Sequence, residues 1–235
     1  RIKPYIHNTP VMKSRLIDEM TGSDIYFKCD NFQKMGAFKM RGAANAILQL
    51  TESKRKKGVV THSSGNFAQA LSLAAKGIGI NAYIVMPSTA AEIKKTAVKA
   101  YHGKLIECKP NLKAREIAAN KIQESKGATF IHPSNDNNVI LGQGTACKEL
   151  LEEYKDLEYV LTPVGGGGLI AGSALAAKYF SENCKVIGAE PFEADDAYRS
   201  LISGKIETNN TTSTIADGLK TQLGDKNFPI IQKEV

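Results

Sequence analysis

Short runs of β-branched and aromatic residues alternate with amphipathic stretches along almost the whole chain. The strand-like runs cover residues 25–29, 59–62, 82–86, 104–108, 129–132, 160–164 and 185–189, and the helix-like stretches cover residues 40–50, 67–76, 91–101, 112–124, 144–154 and 169–180. Strands recurring between helical patterns imply crossover connections, so the chain is expected to form parallel sheet with helices on both faces. Seven strands fit one sheet or two smaller ones, and spacing does not choose between them. No internal repeat or low-complexity segment interrupts the pattern. Ligands of parallel sheets collect beyond the carboxyl ends of the strands. Three polar loops fall there, at residues 63–66, 165–168 and 190–196.

With 235 residues, 42% of them hydrophobic and 23% charged, the chain can bury one large core or two small ones. No apolar stretch approaches the roughly 20 residues that span a bilayer, and the opening Arg1-Ile2-Lys3-Pro4 is not a signal peptide. No membrane partner is expected. The net charge of +7 raises nucleic acid as a partner, but the lysines spread over most predicted helices instead of gathering in a stripe. The cluster Lys54-Arg55-Lys56-Lys57 reads as a solvated connector. The basic balance favours anionic small molecules, with no nucleic acid. Cys29, Cys108, Cys147 and Cys184 are far apart and form no Cys-x-x-Cys pair, so they read as reduced core thiols of a cytoplasmic protein.

Gly165, Gly166, Gly167 and Gly168 lie between an apolar strand and a helix that starts near Leu169. A strand, a turn without side chains and a helix N-terminus present uncovered backbone N–H groups, which make an anion cradle suited to phosphate. Four glycines are costly in chain entropy to order, so a plain connector would rarely use them. No Lys-Ser or Lys-Thr follows, which excludes the nucleotide-loop pattern. The dinucleotide pattern is a competitor, with Gly166, Gly168 and Ala171 as its small residues and Glu190 as the ribose acid.

Lys39 opens a helix and shares a face with Gly42, Ala43, Ala46 and Leu50. Desolvation and the positive end of the helix dipole both favour its neutral amine, the form that makes Schiff bases. The alternative is a snorkelling surface lysine. Ser63-Ser64-Gly65-Asn66 reads either as an ordinary helix cap or as a polar nest in which Asn66 holds a ligand oxygen and Ser64 carries a proton. Glu190, Asp195 and Asp196 read as oxygen ligands for Mg²⁺ or Ca²⁺, or as first-turn helix acids. His7, His62, His102 and His132 are scattered, without zinc spacing or a catalytic triad.

Taken in order, several motifs resemble the serine/threonine dehydratase and serine racemase family of fold-type II pyridoxal 5′-phosphate enzymes. They are Asn31-Phe32-Gln33-Lys34-Met35-Gly36-Ala37-Phe38-Lys39-Met40-Arg41-Gly42-Ala43, Ser63-Ser64-Gly65-Asn66, Gly142-Gln143-Gly144-Thr145, the four glycines, Ala189-Glu190-Pro191 and Ile215-Ala216-Asp217-Gly218. The resemblance implies two α/β domains of parallel sheet flanked by helices. Residues 1–57 and 136–235 would form the large cofactor-binding domain, incomplete at its C-terminus, and residues 58–135 the small one. It also implies that Lys39 holds the cofactor covalently and removes the substrate α-proton. Gly165 to Gly168 with Leu169 would bind the phosphate, Asn66 the ring hydroxyl, and Ser64 would act on the opposite face. Glu190, the Ala194 carbonyl and Asp196 match the Mg²⁺ or Ca²⁺ site, and Ser14, Lys34 and Gln69 match an ATP effector site. The implied activity is dehydration of serine-like amino acids to ammonia and a 2-oxo acid, racemisation of serine, or both, by a homodimer.

The chain departs from the family pattern at several positions. Ala37 stands where Ser is usual, Phe67 where His commonly follows the Asn, and Ala68 where Gly is frequent. Arg15 and Met35 differ from the racemase pattern near the ATP positions. Ser63-Ser64, in place of Ser-Ala, leans toward racemase or hydroxyaspartate activity. The chain stops at Val235, before a Ser-Gly-Gly-Asn-like element, and is read as a fragment.

Overall fold

The computed structural model describes residues 1–235. In chain order the elements are β1 (Val11–Met12), α1 (Arg15–Thr21), β2 (Phe27–Lys28), α2 (Lys39–Gln49), α3 (Glu52–Lys57), β3 (Val59–His62), α4 (Asn66–Ile78), β4 (Ala82–Pro87), α5 (Glu92–Ala100), β5 (Lys104–Cys108), α6 (Leu112–Lys126), β6 (Thr129–Phe130), α7 (Asn137–Gln143), α8 (Thr145–Glu153), β7 (Tyr159–Pro163), α9 (Gly168–Phe180), β8 (Lys185–Ala189), α10 (Asp196–Ser203) and α11 (Phe228–Glu234).

The strands form three sheets. A four-stranded sheet has the order β5-β4-β3-β6 and is parallel throughout, with Val59 opposite Ala82 and Val60 opposite Phe130. β7 and β8 pair in parallel, with Tyr159 opposite Lys185. β1 and β2 pair antiparallel over two residues each, so the run at 25–29 does not join a parallel sheet as expected. Its extended part is only Phe27–Lys28, because the chain turns into a 3-10 segment at Asp30–Phe32.

Both faces of the larger sheet are buried, as parallel strands require. Val59, Ile84 and Met86 pack with Met40, Ile47, Phe67 and Leu71 of α2 and α4. Val60, Tyr83 and Val85 face the opposite way, onto Ala119 of α6. Each fully buried aliphatic or aromatic side chain of this kind contributes roughly 1.5–3 kcal/mol of transfer free energy. A second core gathers Val160, Val164, Ile170, Ala174, Val186 and Ile231 around β7, β8, α9 and α11. No helix is long and apolar enough to cross a membrane.

Two further expectations change. The basic cluster at residues 54–57 is the end of α3, not a connector; Thr51 Oγ1 caps that helix by accepting from the Lys54 amide at 3.4 Å. Only Cys147 is a buried thiol, whereas Cys29, Cys108 and Cys184 keep partial exposure.

Candidate active site

Lys39 is the first residue of α2, and Gly42, Ala43 and Ala46 on its face are all buried. The lysine as a whole keeps partial exposure, but its amine does not point to bulk water. Nζ donates to the Pro133 carbonyl at 2.9 Å, between residues 94 apart in sequence. It also lies 5.0 Å from the centre of the Phe38 ring. Burial lowers its pKa from 10.5 to about 8. A snorkelling lysine would keep its ammonium in water, which this amine does not.

Pro133 belongs to a turn that also meets the glycine loop. A Cβ on Gly166 would fall 2.5 Å from Ser134 Oγ, and one on Gly168 would fall 2.9 Å from the Ser134 carbonyl. Gly167 adopts φ +78° and is the residue before α9, which receives no side-chain cap. The glycines therefore answer to tight packing and to a left-handed turn as well as to any ligand. What the packing leaves over is a row of donors: the amides of Gly165, Gly166, Gly167, Gly168 and Leu169 make no hydrogen bond within the chain. Unpaired N–H groups at a helix N-terminus carry partial positive charge and suit an anion.

The serine loop follows β3. Gly65, not Ser or Asn, occupies the cap position of α4, and Ser63 Oγ accepts from the Gly65 amide at 3.3 Å. Asn66 is exposed and its side chain makes no hydrogen bond, so the capping alternative does not account for it. Asn66 and Leu169 line one cleft of about 1370 Å³ together with Ala37 and Phe38. Ser64 is half-buried, without a hydrogen-bond partner, and neither it nor Lys39 is among the residues lining that cleft.

The acidic loop lies beyond β8. The Glu190 carboxylate accepts from the amides of Ala197 at 3.2 Å and Tyr198 at 2.9 Å. Burial, reinforced by the charges of Asp196 and Asp195, pushes its pKa up to about 7. Asp196 is buried, accepts from Asn209 Nδ2 at 2.7 Å and from the Leu223 amide at 3.0 Å, and is also raised by burial. Asp195 pairs with Arg199 at 2.8 Å. Ala194 is fully buried between them in sequence. Ser14, Lys34 and Gln69 lie before α1, in the 34–36 turn and on α4; no hydrogen bond or ion pair joins them to each other.

Residues 2–235 match the family described as pyridoxal-phosphate dependent enzyme. The chain belongs to that family. Serine racemase of Dictyostelium discoideum is 48% identical over 235 residues, covering 99% of this chain and 72% of the relative. The β-hydroxyaspartate dehydratase of Paracoccus denitrificans is 46% identical, covering 100% of this chain and 75% of the relative. The structure of maize serine racemase superposes with a TM-score of 0.97 at 48% identity, over 100% of this chain and 71% of that one. The chain thus has the α/β architecture of the fold-type II pyridoxal-phosphate enzymes.

The donor set fits pyridoxal 5′-phosphate, with free amides for its phosphate and a desolvated amine for its aldehyde. The dinucleotide alternative built on Gly166, Gly168, Ala171 and Glu190 finds no support. Family membership points elsewhere, and Glu190 turns its carboxylate onto the first turn of α10. Sequence reasoning missed Pro133, Ser134 and Gln143 as parts of this site. Gln143 is fully buried and its Nε2 donates to the same Pro133 carbonyl at 3.4 Å. Its place in Gly142-Gln143-Gly144-Thr145 was the one available signal.

Proposed function

We propose that this pyridoxal-phosphate enzyme acts on serine-like hydroxy-amino acids, eliminating water to give ammonia and a 2-oxo acid, interconverting the enantiomers, or both. The observation that carries this reading is the continuity from the desolvated Lys39 amine, through Pro133 and Ser134, to the free amides at Gly165–Leu169. The relatives named serine racemase and β-hydroxyaspartate dehydratase support the substrate class.

When bound, the cofactor supplies an electron sink that stabilises negative charge at the substrate α-carbon. Gly165, Gly166, Gly167, Gly168 and Leu169 hold the phosphate, and Asn66 holds the ring hydroxyl. Lys39, its pKa lowered by burial to about 8, is suited to take the α-proton. Ser64 carries a proton on the opposite face. Delivery of a proton from Ser64 would invert the centre, whereas loss of the β-hydroxyl together with the proton taken from the α-carbon would release water and commit the substrate to elimination and then hydrolysis.

The same reading assigns Mg²⁺ or Ca²⁺ to Glu190, the Ala194 carbonyl and Asp196. Two carboxylates raised by burial, with Arg199 acting on Asp196, support a hard divalent cation held partly by a backbone carbonyl, since no cluster of three acidic, histidine or cysteine side chains is gathered here. It also assigns ATP as an effector at Ser14, Lys34 and Gln69, a division into residues 58–135 and the remainder, a homodimeric assembly and a cytoplasmic location.

Product analysis tests the function. With pyridoxal phosphate and Mg²⁺ supplied, L-serine or threo-3-hydroxyaspartate should yield a 2-oxo acid with ammonia, or the opposite enantiomer. Absence of both from each substrate, and from L-threonine, contradicts the reading.

A further inference from the structure

The turn at residues 132–135 leaves β6 and reaches three other parts of the site. His132 Nδ1 accepts two backbone amides, from Ser134 at 3.2 Å and Asn135 at 2.8 Å. The Pro133 carbonyl accepts Lys39 Nζ at 2.9 Å and Gln143 Nε2 at 3.4 Å. Ser134 lies against Gly166 and Gly168. Asn135 anchors the far side, donating to Asp225 at 2.6 Å and accepting from the Lys226 amide at 2.9 Å.

We propose that His132 is a positioning residue for Lys39, its neutral ring folding the turn so that the Pro133 carbonyl forms a resting acceptor for the free lysine amine. An amine that must leave and rejoin a cofactor needs a fixed place while free, or it would sample rotamers away from the aldehyde. A neutral imidazole that accepts at Nδ1 carries its proton on Nε2, and an imidazolium could not accept at all. The surroundings keep the ring neutral. Burial, then the charges of His62 and Lys39, depress its pKa to about 4, with Asp136 opposing and Lys226 adding weakly. His62 meets the ring edge-on with centroids 6.1 Å apart, and Phe130 lies at 6.4 Å. The inference rests on Lys39 being the cofactor lysine.

The test has two arms. In the first, cofactor-free protein is mixed with pyridoxal 5′-phosphate and trapped with borohydride, and incorporation at Lys39 is timed. His132→Phe keeps an aromatic ring but removes the acceptor and should slow trapping about tenfold, the scale of one or two lost hydrogen bonds. His132→Asn returns an acceptor oxygen near the Nδ1 position and should recover most of the rate. Binding of pyridoxine 5′-phosphate, which has no aldehyde, should change less than about twofold, because Ser134 stays packed against Gly166 and Gly168 while the Asn135 side chain keeps its bonds to Asp225 and Lys226. Unchanged trapping in His132→Phe overturns the proposal. So does an equal loss in both variants, or a parallel loss of pyridoxine phosphate binding.

The second arm uses the unaltered cofactor-free protein, so it does not depend on a variant folding. Nitrogen-15 spectra of His132 should show an unprotonated Nδ1 and a protonated Nε2 from pH 8 down to about 5.5. The opposite tautomer, or a titration near the ordinary 6.5, overturns the proposal. If wild-type Lys39 takes no label at all, the function proposed above fails, while the tautomer still decides whether His132 folds the turn.

Discussion

Arg41 grips Glu149 through two parallel hydrogen bonds, Nη1 to Oε1 at 2.7 Å and Nη2 to Oε2 at 2.8 Å. The same guanidinium holds Asp30 through Nε at 2.7 Å and Nη2 at 2.9 Å, and Nη2 also reaches Thr9 Oγ1 at 3.2 Å. Arg41 has no solvent exposure. It ties α2 to α8, to the 3-10 turn after β2 and to the N-terminal segment, two residues beyond Lys39. Every buried donor and acceptor here is matched, which is the condition under which a buried charge is tolerated.

Removing the cation should expose that dependence. Arg41→Met leaves Asp30 and Glu149 facing each other with only Lys28, 2.9 Å from Glu149, in partial compensation. A loss of about 3–5 kcal/mol in denaturant unfolding is expected. Arg41→Lys keeps the charge but not the fork and should lose an intermediate amount. A change under about 0.5 kcal/mol in both variants would contradict the role assigned to the network.

The lowered pKa of Lys39 has a kinetic signature. Attachment of an aldehyde needs the neutral amine, so the rate constant should rise with pH and level off above about 8. At pH 6 it should be about a hundredfold below the plateau, two units under the midpoint. Borohydride trapping of cofactor-free protein across pH 6–10 reads this directly. A rate still climbing tenfold per unit beyond pH 9 would show a lysine of ordinary basicity.

Glu190 gives the opposite sign. A carboxyl raised to about 7 holds its proton in the folded chain across the window from 4.5 to 7. Ionising it there costs stability unless a cation compensates. Stabilisation by Mg²⁺ or Ca²⁺ should therefore strengthen between pH 5.5 and 7.5, with about one proton released on binding. Glu190→Gln should abolish most of the ion-dependent rise in melting temperature while leaving the ion-free protein as stable near neutral pH. An ion effect of equal size in wild type and variant would count against the cation site.

Much of this organisation was legible in the chain, and the rest was not, for identifiable reasons. Strands 59–62, 104–108 and 185–189 read correctly because each is a short run with β-branched residues set between helical patterns, although only 59–62 is buried on both faces. The desolvated setting of Lys39 was legible because its helix is small and apolar on one face. The turn at 132–135 was hidden, since residues 129–132 read as one strand and the pairing stops at Phe130. No local pattern records that Pro133 meets Lys39 or that Asn135 meets Asp225; those contacts join segments about ninety residues apart. The Arg41 network was missed for the same reason: a buried arginine in a helix looks like a surface one until its partners from three segments are assembled.

The central claim is that Lys39 is the residue to which the cofactor attaches. The most direct measurement saturates the folded protein with pyridoxal 5′-phosphate, reduces it with borohydride and maps the modified peptide by mass spectrometry. One label, on Lys39, is expected, together with loss of that label in Lys39→Ala. A label on another lysine in the unaltered protein, or no stable label at all, would contradict it.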